Sequence, residues 1–124
     1  MITHIHSATI AVADQDAALN FYTNTLGWDV GQDAQVDENM RFLSVIPKGA
    51  ATALVLGHVS WFGGDYGSPA KAGITLVCTD IDGAYATLTE RGVRFKEPVA
   101  MMPWGQKAAW FYDPDGNEFF LVEE

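Results

Sequence analysis

The sequence feature that most constrains the fold is an internal repeat. Residues 7–27 and 73–92 share one pattern, in which a short apolar stretch leads to an Asp, an amphipathic stretch and a closing Gly. A shift of 66 residues superposes Asp14 on Asp80. Because a pattern that recurs at a fixed spacing marks a repeated structural unit, the sequence predicts two related modules.

Each module is predicted to have the order βαβββ. The apolar stretch is rich in β-branched residues, as strands are, and the following Asp suits the start of a helix, where its carboxylate accepts backbone N–H bonds. Gly27 and Gly92 close the helices, because glycine suits the left-handed residue after a helix. Three further strands are predicted per module: residues 28–36, 40–46 and 51–56 in the first, and residues 93–98, 106–112 and 118–122 in the second.

The predicted fold class is therefore α+β, in a single domain of two tandem modules. Module one spans about residues 1–57, a glycine-rich linker about residues 58–71, and module two about residues 72–124. Neither module alone is large enough to bury a good core. The two modules are therefore expected to close on each other.

The charge of the chain argues against several partners. Seven Lys and Arg stand against 16 Asp and Glu, the formal net charge is −9, and no Lys or Arg precedes Arg41. Affinity for nucleic acids and anionic membranes depends on basic side chains, so neither is an expected partner. No apolar run approaches the ~20 residues that span a bilayer, the N-terminus lacks the pattern of a secretory signal, and Cys78 is the single cysteine. We therefore expect a cytoplasmic protein.

Six short motifs follow one another along the chain: Val12-Ala13-Asp14, Phe21-Tyr22, Leu26-Gly27, Thr79-Asp80-Ile81-Asp82, Arg91-Gly92-Val93 and Asp113-Pro114-Asp115-Gly116-Asn117. Together they resemble the vicinal-oxygen-chelate superfamily, which includes glyoxalase I, extradiol dioxygenases, fosfomycin-resistance enzymes and bleomycin-resistance proteins. The resemblance implies an open, eight-stranded, barrel-like sheet around a cavity, and commonly a homodimer. It does not imply one activity, because members include lyases, dioxygenases, epimerases and metal-free binding proteins.

The resemblance also implies four positions at which metal-dependent members place their ligands. Counted from the motifs, these positions fall at Ser7, Ala53, Gly73 and Phe120. Their side chains do not supply the imidazole and carboxylate donors that hold a catalytic divalent metal. We therefore predict that no metal is bound there. No cofactor is predicted either, because the sequence lacks a dinucleotide fingerprint and a phosphate-binding loop.

Other residues keep a metal site open as an alternative. His4 and His6 stand two apart on a predicted strand and so share a face, and a β-bulge would turn His6 inward. His58 lies in the linker, within reach of the cavity. Glu118 has the strand parity of Phe120 and can therefore face the cavity mouth. The alternative without a metal is that His4 and His6 lie on an outer face near a frayed end, and that His58 lies in a solvated loop.

Aromatic residues cluster on segments expected around the cavity mouth, where flat rings suit stacking on a planar ligand. Arg41 and Gln106 stand at predicted strand starts and are candidates to orient a carboxylate or carbonyl group. The predicted cavity residues are Ser7, Arg41, Trp61, Phe62, Trp104, Gln106, Trp110, Tyr112, Glu118 and Phe120.

Two groups of these aromatic residues have different surroundings. Trp110 and Tyr112 alternate along a predicted strand, so packing in the core is an alternative for both. Trp61, Phe62 and Trp104 stand beside Gly and Pro in predicted loops, where exposed rings favour a binding patch or an interface.

Three functions remain open from the sequence. The first is a metal-free protein that sequesters a planar or amphipathic small molecule, as in the antibiotic-binding branch of the superfamily, with a preference for cations because of the acidic charge. The second is an enzyme, such as a glyoxalase-like lyase, isomerase or dioxygenase, using a non-standard metal site at His4, His6 or Glu118, or acid–base groups such as Glu118 and Tyr112. The third is a structural role, in which the aromatic residues serve dimer or partner contacts.

Overall fold

The structure, a computed structural model, describes residues 1–63 and 71–124 of the 124-residue chain. Much of the predicted linker, residues 58–71, therefore lies outside the described residues. The chain divides between residues 68 and 69 into two compact units, each with its own sheet. Unit 1 follows the predicted order βαβββ, and unit 2 follows it with one short extra strand. The α+β class and the repeated module are confirmed.

Unit 1 consists in chain order of β1 (Ser7–Val12), α1 (Gln15–Asn20), β2 (Asp29–Asp37), β3 (Met40–Ile46) and β4 (Ala53–His58). Its strands lie in the order β1-β4-β3-β2, with β1 parallel to β4 and the other neighbours antiparallel. Its core is formed by fully buried side chains from β1, β3, β4 and the helical turn after α1: Val12, Tyr22, Leu43, Val45 and Leu56. Unit 1 therefore buries apolar residues of β1, β3 and β4, whereas β2 is exposed along its nine residues.

Unit 2 consists in chain order of β5 (Lys71–Cys78), α2 (Ile81–Glu90), β6 (Arg94–Phe95), β7 (Ala100–Met101), β8 (Lys107–Tyr112) and β9 (Glu118–Glu123). Its strands lie in the order β5-β9-β8-β6, and β7 also pairs with β8. β5 runs parallel to β9, whereas the pairs of β8 are antiparallel.

The strand predicted at residues 93–98 is the main difference from the expected pattern. It shortens to Arg94–Phe95, and a separate two-residue strand forms at Ala100–Met101. Pro98 lies between them and has no N–H to donate to a ladder, which explains the interruption. The β8 strand therefore pairs with two short strands in succession instead of with one long strand.

Both helices begin at the predicted aspartates. The Asp14 carboxylate accepts the N–H of Ala17 at 3.0 Å, and the Asp80 carboxylate accepts the N–H of Gly83 at 3.1 Å. Gly27 and Gly92 have φ of 80° and 89°, the left-handed conformation expected after each helix. The repeated Asp and Gly therefore set the limits of the helical segment in each unit.

The sequence pattern predicted a regular helix in the first module, but the segment is α-helical only as far as Asn20. After Asn20 it widens into a π-helical turn, Phe21–Thr25, in which the N–H of Leu26 donates to the carbonyl of Phe21. The Thr23 hydroxyl donates to the Leu19 carbonyl at 2.7 Å, a local bond that competes with the regular backbone pattern.

Neither α1 nor α2 is long and apolar enough to cross a membrane.

The two faces of the unit 2 sheet carry different side chains, because neighbours along a strand point to opposite sides. Phe111 and Phe119 are buried on one face, with ring centroids 5.5 Å apart. Phe95 extends this contact to Tyr85 of α2, so this is the helix-packed face. The opposite face is left for the residues that alternate with Phe111 and Phe119.

The helix caps make a direct prediction about stability. Asp80→Ala removes the acceptor for the Gly83 N–H and is expected to lower the free energy of unfolding by about 1 kcal/mol. Asp80→Asn is the matched control, because an asparagine side chain also caps, and it should stay within about 0.3 kcal/mol of the unsubstituted protein. Urea denaturation measures both values. Equal losses in the two variants would contradict the capping role.

Candidate functional site

A cavity of about 320 Å³ lies in unit 2. Its volume is at the lower end of the range of small-molecule sites. The residues that line it come from β5, from the turn before β8, and from β8 and β9: Gly73, Ile74, Thr75, Trp104, Trp110, Glu118 and Phe120. Four of the predicted cavity residues are therefore brought together here, within one unit.

The strand register brings together the aromatic side chains of Trp110 and Phe120 in the cavity wall. In the β8–β9 ladder, Trp110 lies opposite Phe120 and Tyr112 lies opposite Glu118. Residues directly opposite each other on neighbouring strands share a face, and their side chains contact. The rings of Trp110 and Phe120 accordingly lie with centroids 4.4 Å apart, tilted by 36°. Thr75 of β5 lies opposite Phe120 on its other side.

Trp104 is held at the cavity by a turn and a side-chain bond. The N–H of Gly105 donates to the Met102 carbonyl at 2.9 Å, and this turn joins β7 to β8. The indole N–H of Trp104 donates to Oε1 of Gln106 at 2.9 Å, and Nε2 of Gln106 donates to the Glu123 carbonyl at 3.0 Å. Gln106 therefore positions the indole and is not among the lining residues.

Glu118 is the charged residue in the cavity wall. It follows a turn in which the buried Asp113 carboxylate accepts the backbone N–H groups of Asp115 and Asn117, at 3.0 and 2.8 Å. The side chain of Glu118 is only 10% exposed, and the Lys96 ammonium lies 3.7 Å from its carboxylate. The predicted turn thus fixes the point at which an acidic group enters the apolar wall.

Tyr112 is not a lining residue, although it precedes the same turn. Its ring lies under the guanidinium of Arg94, at 4.8 Å from the ring centroid. A cation over an aromatic face is a stabilising contact. The structure therefore gives Tyr112 a partner within the sheet, next to the cavity.

Arg41 lies in an ion-pair network of unit 1 and does not line the cavity. Its guanidinium binds Asp33 through two bonds of 2.8 and 2.9 Å, and Asp16 through one of 2.6 Å. These bonds raise the pKa of Arg41 and, chiefly through the hydrogen bond from Arg41, lower the pKa of Asp33. A ligand carboxylate at Arg41 would have to compete with both aspartates.

The prediction that Trp61 and Phe62 lie in a loop is wrong. Both residues are half-buried in a 3-10 helix, Val59–Phe62, that begins where the His58 ring accepts the Ser60 N–H at 3.1 Å. Gly57 permits the close packing, because a Cβ there would lie 2.9 Å from the Trp61 ring.

Trp61 also stacks on Phe42, with centroids 6.4 Å apart, in unit 1. Its indole N–H is buried and has no hydrogen-bond partner among residues 1–63 and 71–124. Trp61 and Phe62 therefore lie in an aromatic cluster of unit 1, whereas the cavity residues lie in unit 2.

The four positions implied for a metal do not present metal donors. Ser7 and Ala53 lie opposite each other in unit 1, and Gly73 and Phe120 both line the cavity in unit 2. Within residues 1–63 and 71–124, no three His, Cys, Asp or Glu side chains are grouped so as to hold a metal ion. A hydroxyl, two small residues and a phenyl ring do not fit the metal that the fold implies.

The remaining reactive candidates are not among the lining residues of the cavity. His4 and His6 are exposed in the segment before β1. The Cys78 thiol is half-buried, and burial together with Glu123 and Asp80 raises its pKa, so it is a weak nucleophile.

Of the other three lining residues, the sequence named Gly73 only as a position implied for a metal, and it missed Ile74 and Thr75. Strand parity with Gly73 was a signal for Thr75, because residues two apart share a face. Ile74 has the opposite parity, and the register of β5 against β9 shifts between Lys71 and Thr75, so simple alternation does not identify it.

Known proteins of the same size resemble the whole chain. The family model for the Glyoxalase/Bleomycin resistance protein/Dioxygenase superfamily matches residues 4–121. A solved member of that superfamily from Sphaerobacter thermophilus DSM 20745 is 57% identical with a TM-score of 0.95, covering 99% of this chain and 98% of its own.

Two further relatives cover nearly the full length. TnmS3, an antibiotic binding protein from Streptomyces sp. CB03234, is 39% identical with a TM-score of 0.83, covering 98% of this chain and 96% of its own. The uncharacterized protein YetH of Bacillus subtilis (strain 168) is 36% identical over 123 residues, 99% of this chain and 100% of YetH. The chain therefore belongs to the glyoxalase/bleomycin resistance protein/dioxygenase superfamily.

Proposed function

We propose that this protein binds a planar or amphipathic small molecule in the unit 2 cavity and does so without a metal. The observation that carries the proposal is the composition of the cavity wall, which combines the rings of Trp104, Trp110 and Phe120 with one carboxylate, Glu118. Aromatic side chains offer large, rigid apolar surfaces, and a few polar groups then fix a ligand's orientation.

The exposure of Trp104 supports binding over a purely structural role. This side chain is 63% exposed, although Gln106 holds its indole in place and its ring lies 6.4 Å from that of Phe120. Covering a fixed, exposed apolar ring with a ligand removes its surface from water, which lowers the free energy of the complex. Stacking of a planar ligand on Trp104 would provide that cover.

A relative supports the same class of function. TnmS3, which matches this chain over nearly its whole length, is an antibiotic binding protein. Antibiotic binding is therefore found with this fold in a protein 39% identical to this chain.

Titration with neutral planar compounds, such as acridine at pH 8, tests the binding proposal through quenching of tryptophan emission. We expect saturable binding that Trp104→Ala weakens by about tenfold, because the variant removes one stacking surface. Trp104→Phe is the matched control and should retain most of the affinity. The exposed position of Trp104 makes either variant a small perturbation of folding. The absence of saturable binding by a broad panel of planar compounds would contradict the proposal.

The metal-free part of the proposal has its own test. Elemental analysis of the purified protein should find less than stoichiometric zinc, nickel, manganese and iron, and the affinity for the planar probe should be the same with and without EDTA. One equivalent of metal, or a loss of binding in EDTA, would instead favour the enzyme that uses a non-standard metal site.

We also propose that the protein is a cytoplasmic homodimer. The edge strand β2 is exposed along its nine residues and carries the apolar side chains of Val30 and Val36, 49% and 61% exposed. An exposed strand edge with apolar residues favours pairing with another chain. The single thiol, Cys78, suits a reducing compartment.

Light scattering coupled to size-exclusion chromatography tests the dimer at micromolar concentration. The expected mass is twice the 13.5 kDa of the chain. Val36→Lys, which places a charge on the exposed edge strand, should shift the mass toward that of one chain. A monomer at all concentrations, with the unsubstituted sequence, would contradict the dimer.

A further inference from the structure

We propose that the unit 2 cavity selects ligands that carry a positive charge, and that it binds an ammonium group between the Glu118 carboxylate and the aromatic side chains around it. The inference rests on the proposed binding function and adds the chemical class of the ligand. It follows from the way in which Glu118 is buried and paired.

The pairing of Glu118 differs from that of the other carboxylates in ion pairs. Asp16, Asp29, Asp33 and Asp82 lie 2.6–2.8 Å from their cations, and their side chains are 39–86% exposed. The Glu118 side chain is 10% exposed, yet its cation, Lys96, lies 3.7 Å away. In the part of the chain that the structure describes, the least exposed of these carboxylates thus has the longest ion pair.

Among the side chains that the structure describes, Lys96 is the cation paired with this carboxylate. A buried charge is costly unless hydrogen bonds and an opposite charge compensate it. The 3.7 Å separation from Lys96 exceeds the distance of an N–H···O hydrogen bond, so that pair is electrostatic only. A ligand ammonium in the cavity would add a hydrogen bond and a second positive charge to this pair.

The surrounding rings favour the same chemistry. Trp104, Trp110 and Phe120 line the cavity with Glu118. The face of an aromatic ring is negative and attracts cations, most strongly for tryptophan. Rings that line the cavity together with Glu118 therefore favour a cationic ligand group, whereas the carboxylate repels an anion.

Lys96 is the competitor for this site. Its side chain is 47% exposed, so it can move its ammonium into solvent when a ligand cation arrives. Removal of its charge should therefore strengthen cation binding. Lys71 lies opposite Glu118 in the β5–β9 register and is left unchanged in the test.

The test compares two probes of nearly equal shape, 1-naphthylmethylammonium and the neutral 1-naphthylmethanol. Calorimetric titration is carried out at pH 7 in 0.15 M salt, which screens the general attraction of a net charge of −9 over distances beyond ~8 Å. We expect the ammonium to bind about tenfold tighter than the alcohol, since charge-assisted bonds exceed neutral ones.

Three variants assign the preference. Glu118→Gln should reduce the preference for the ammonium to less than about twofold, whereas Lys96→Met should increase it about threefold. Glu90→Gln is the matched control, because it removes the same charge at an exposed position on α2 and should leave the preference unchanged. Glu90→Gln, which changes no lining residue, should also leave the affinity for the alcohol unchanged.

The outcomes distinguish failure of the cation preference from failure of the proposed small-molecule binding. Equal affinity for the two probes would overturn the cation preference and leave small-molecule binding intact. Binding of neither naphthyl probe nor any planar compound would overturn both. A preference that survives Glu118→Gln would overturn the role of Glu118. If Glu118→Gln does not fold, the unsubstituted protein and Lys96→Met decide the question, because an unchanged preference in Lys96→Met would equally overturn the pairing argument.

Discussion

The β8–β9 ladder is the constraint on which the proposed site depends. Its antiparallel register sets Phe111 opposite Phe119 on the helix-packed face, and Trp110 opposite Phe120 on the cavity face. A shift of one residue would exchange the two faces, because side chains alternate along a strand. Burial of the first pair therefore holds the second pair at the cavity, where its rings remain accessible.

The two units share a pattern and have diverged at the position that matters for metal chemistry. Residue 53 of unit 1 and residue 120 of unit 2 correspond in the repeat, and they are Ala and Phe. In unit 2 the large ring turns a position implied for a metal ligand into part of an aromatic wall. The acidic group of that wall is Glu118, two residues earlier on the same strand face, next to Lys96 at 3.7 Å.

Much of the fold was predictable, because local chemistry encodes it. Asp14 and Asp80 cap helices as their spacing predicted, and strand parity correctly places Glu118 with Phe120 on one face. Other features of the fold and the site were not predictable from the sequence pattern. They depend on contacts between residues distant in the sequence, or on side-chain hydrogen bonds that compete with the regular helix. The ion pairs of Arg41 with Asp16 and Asp33 are of this kind.

The most direct measurement is the ¹H–¹⁵N spectrum of the four tryptophan indole groups during titration with a planar ligand. We predict that the signals of Trp104 and Trp110, which line the cavity, shift in a saturable way. The signal of Trp28, whose ring packs on Tyr22 in unit 1, serves as the reference and should stay in place. Unchanged Trp104 and Trp110 signals under saturating ligand would contradict binding in this cavity.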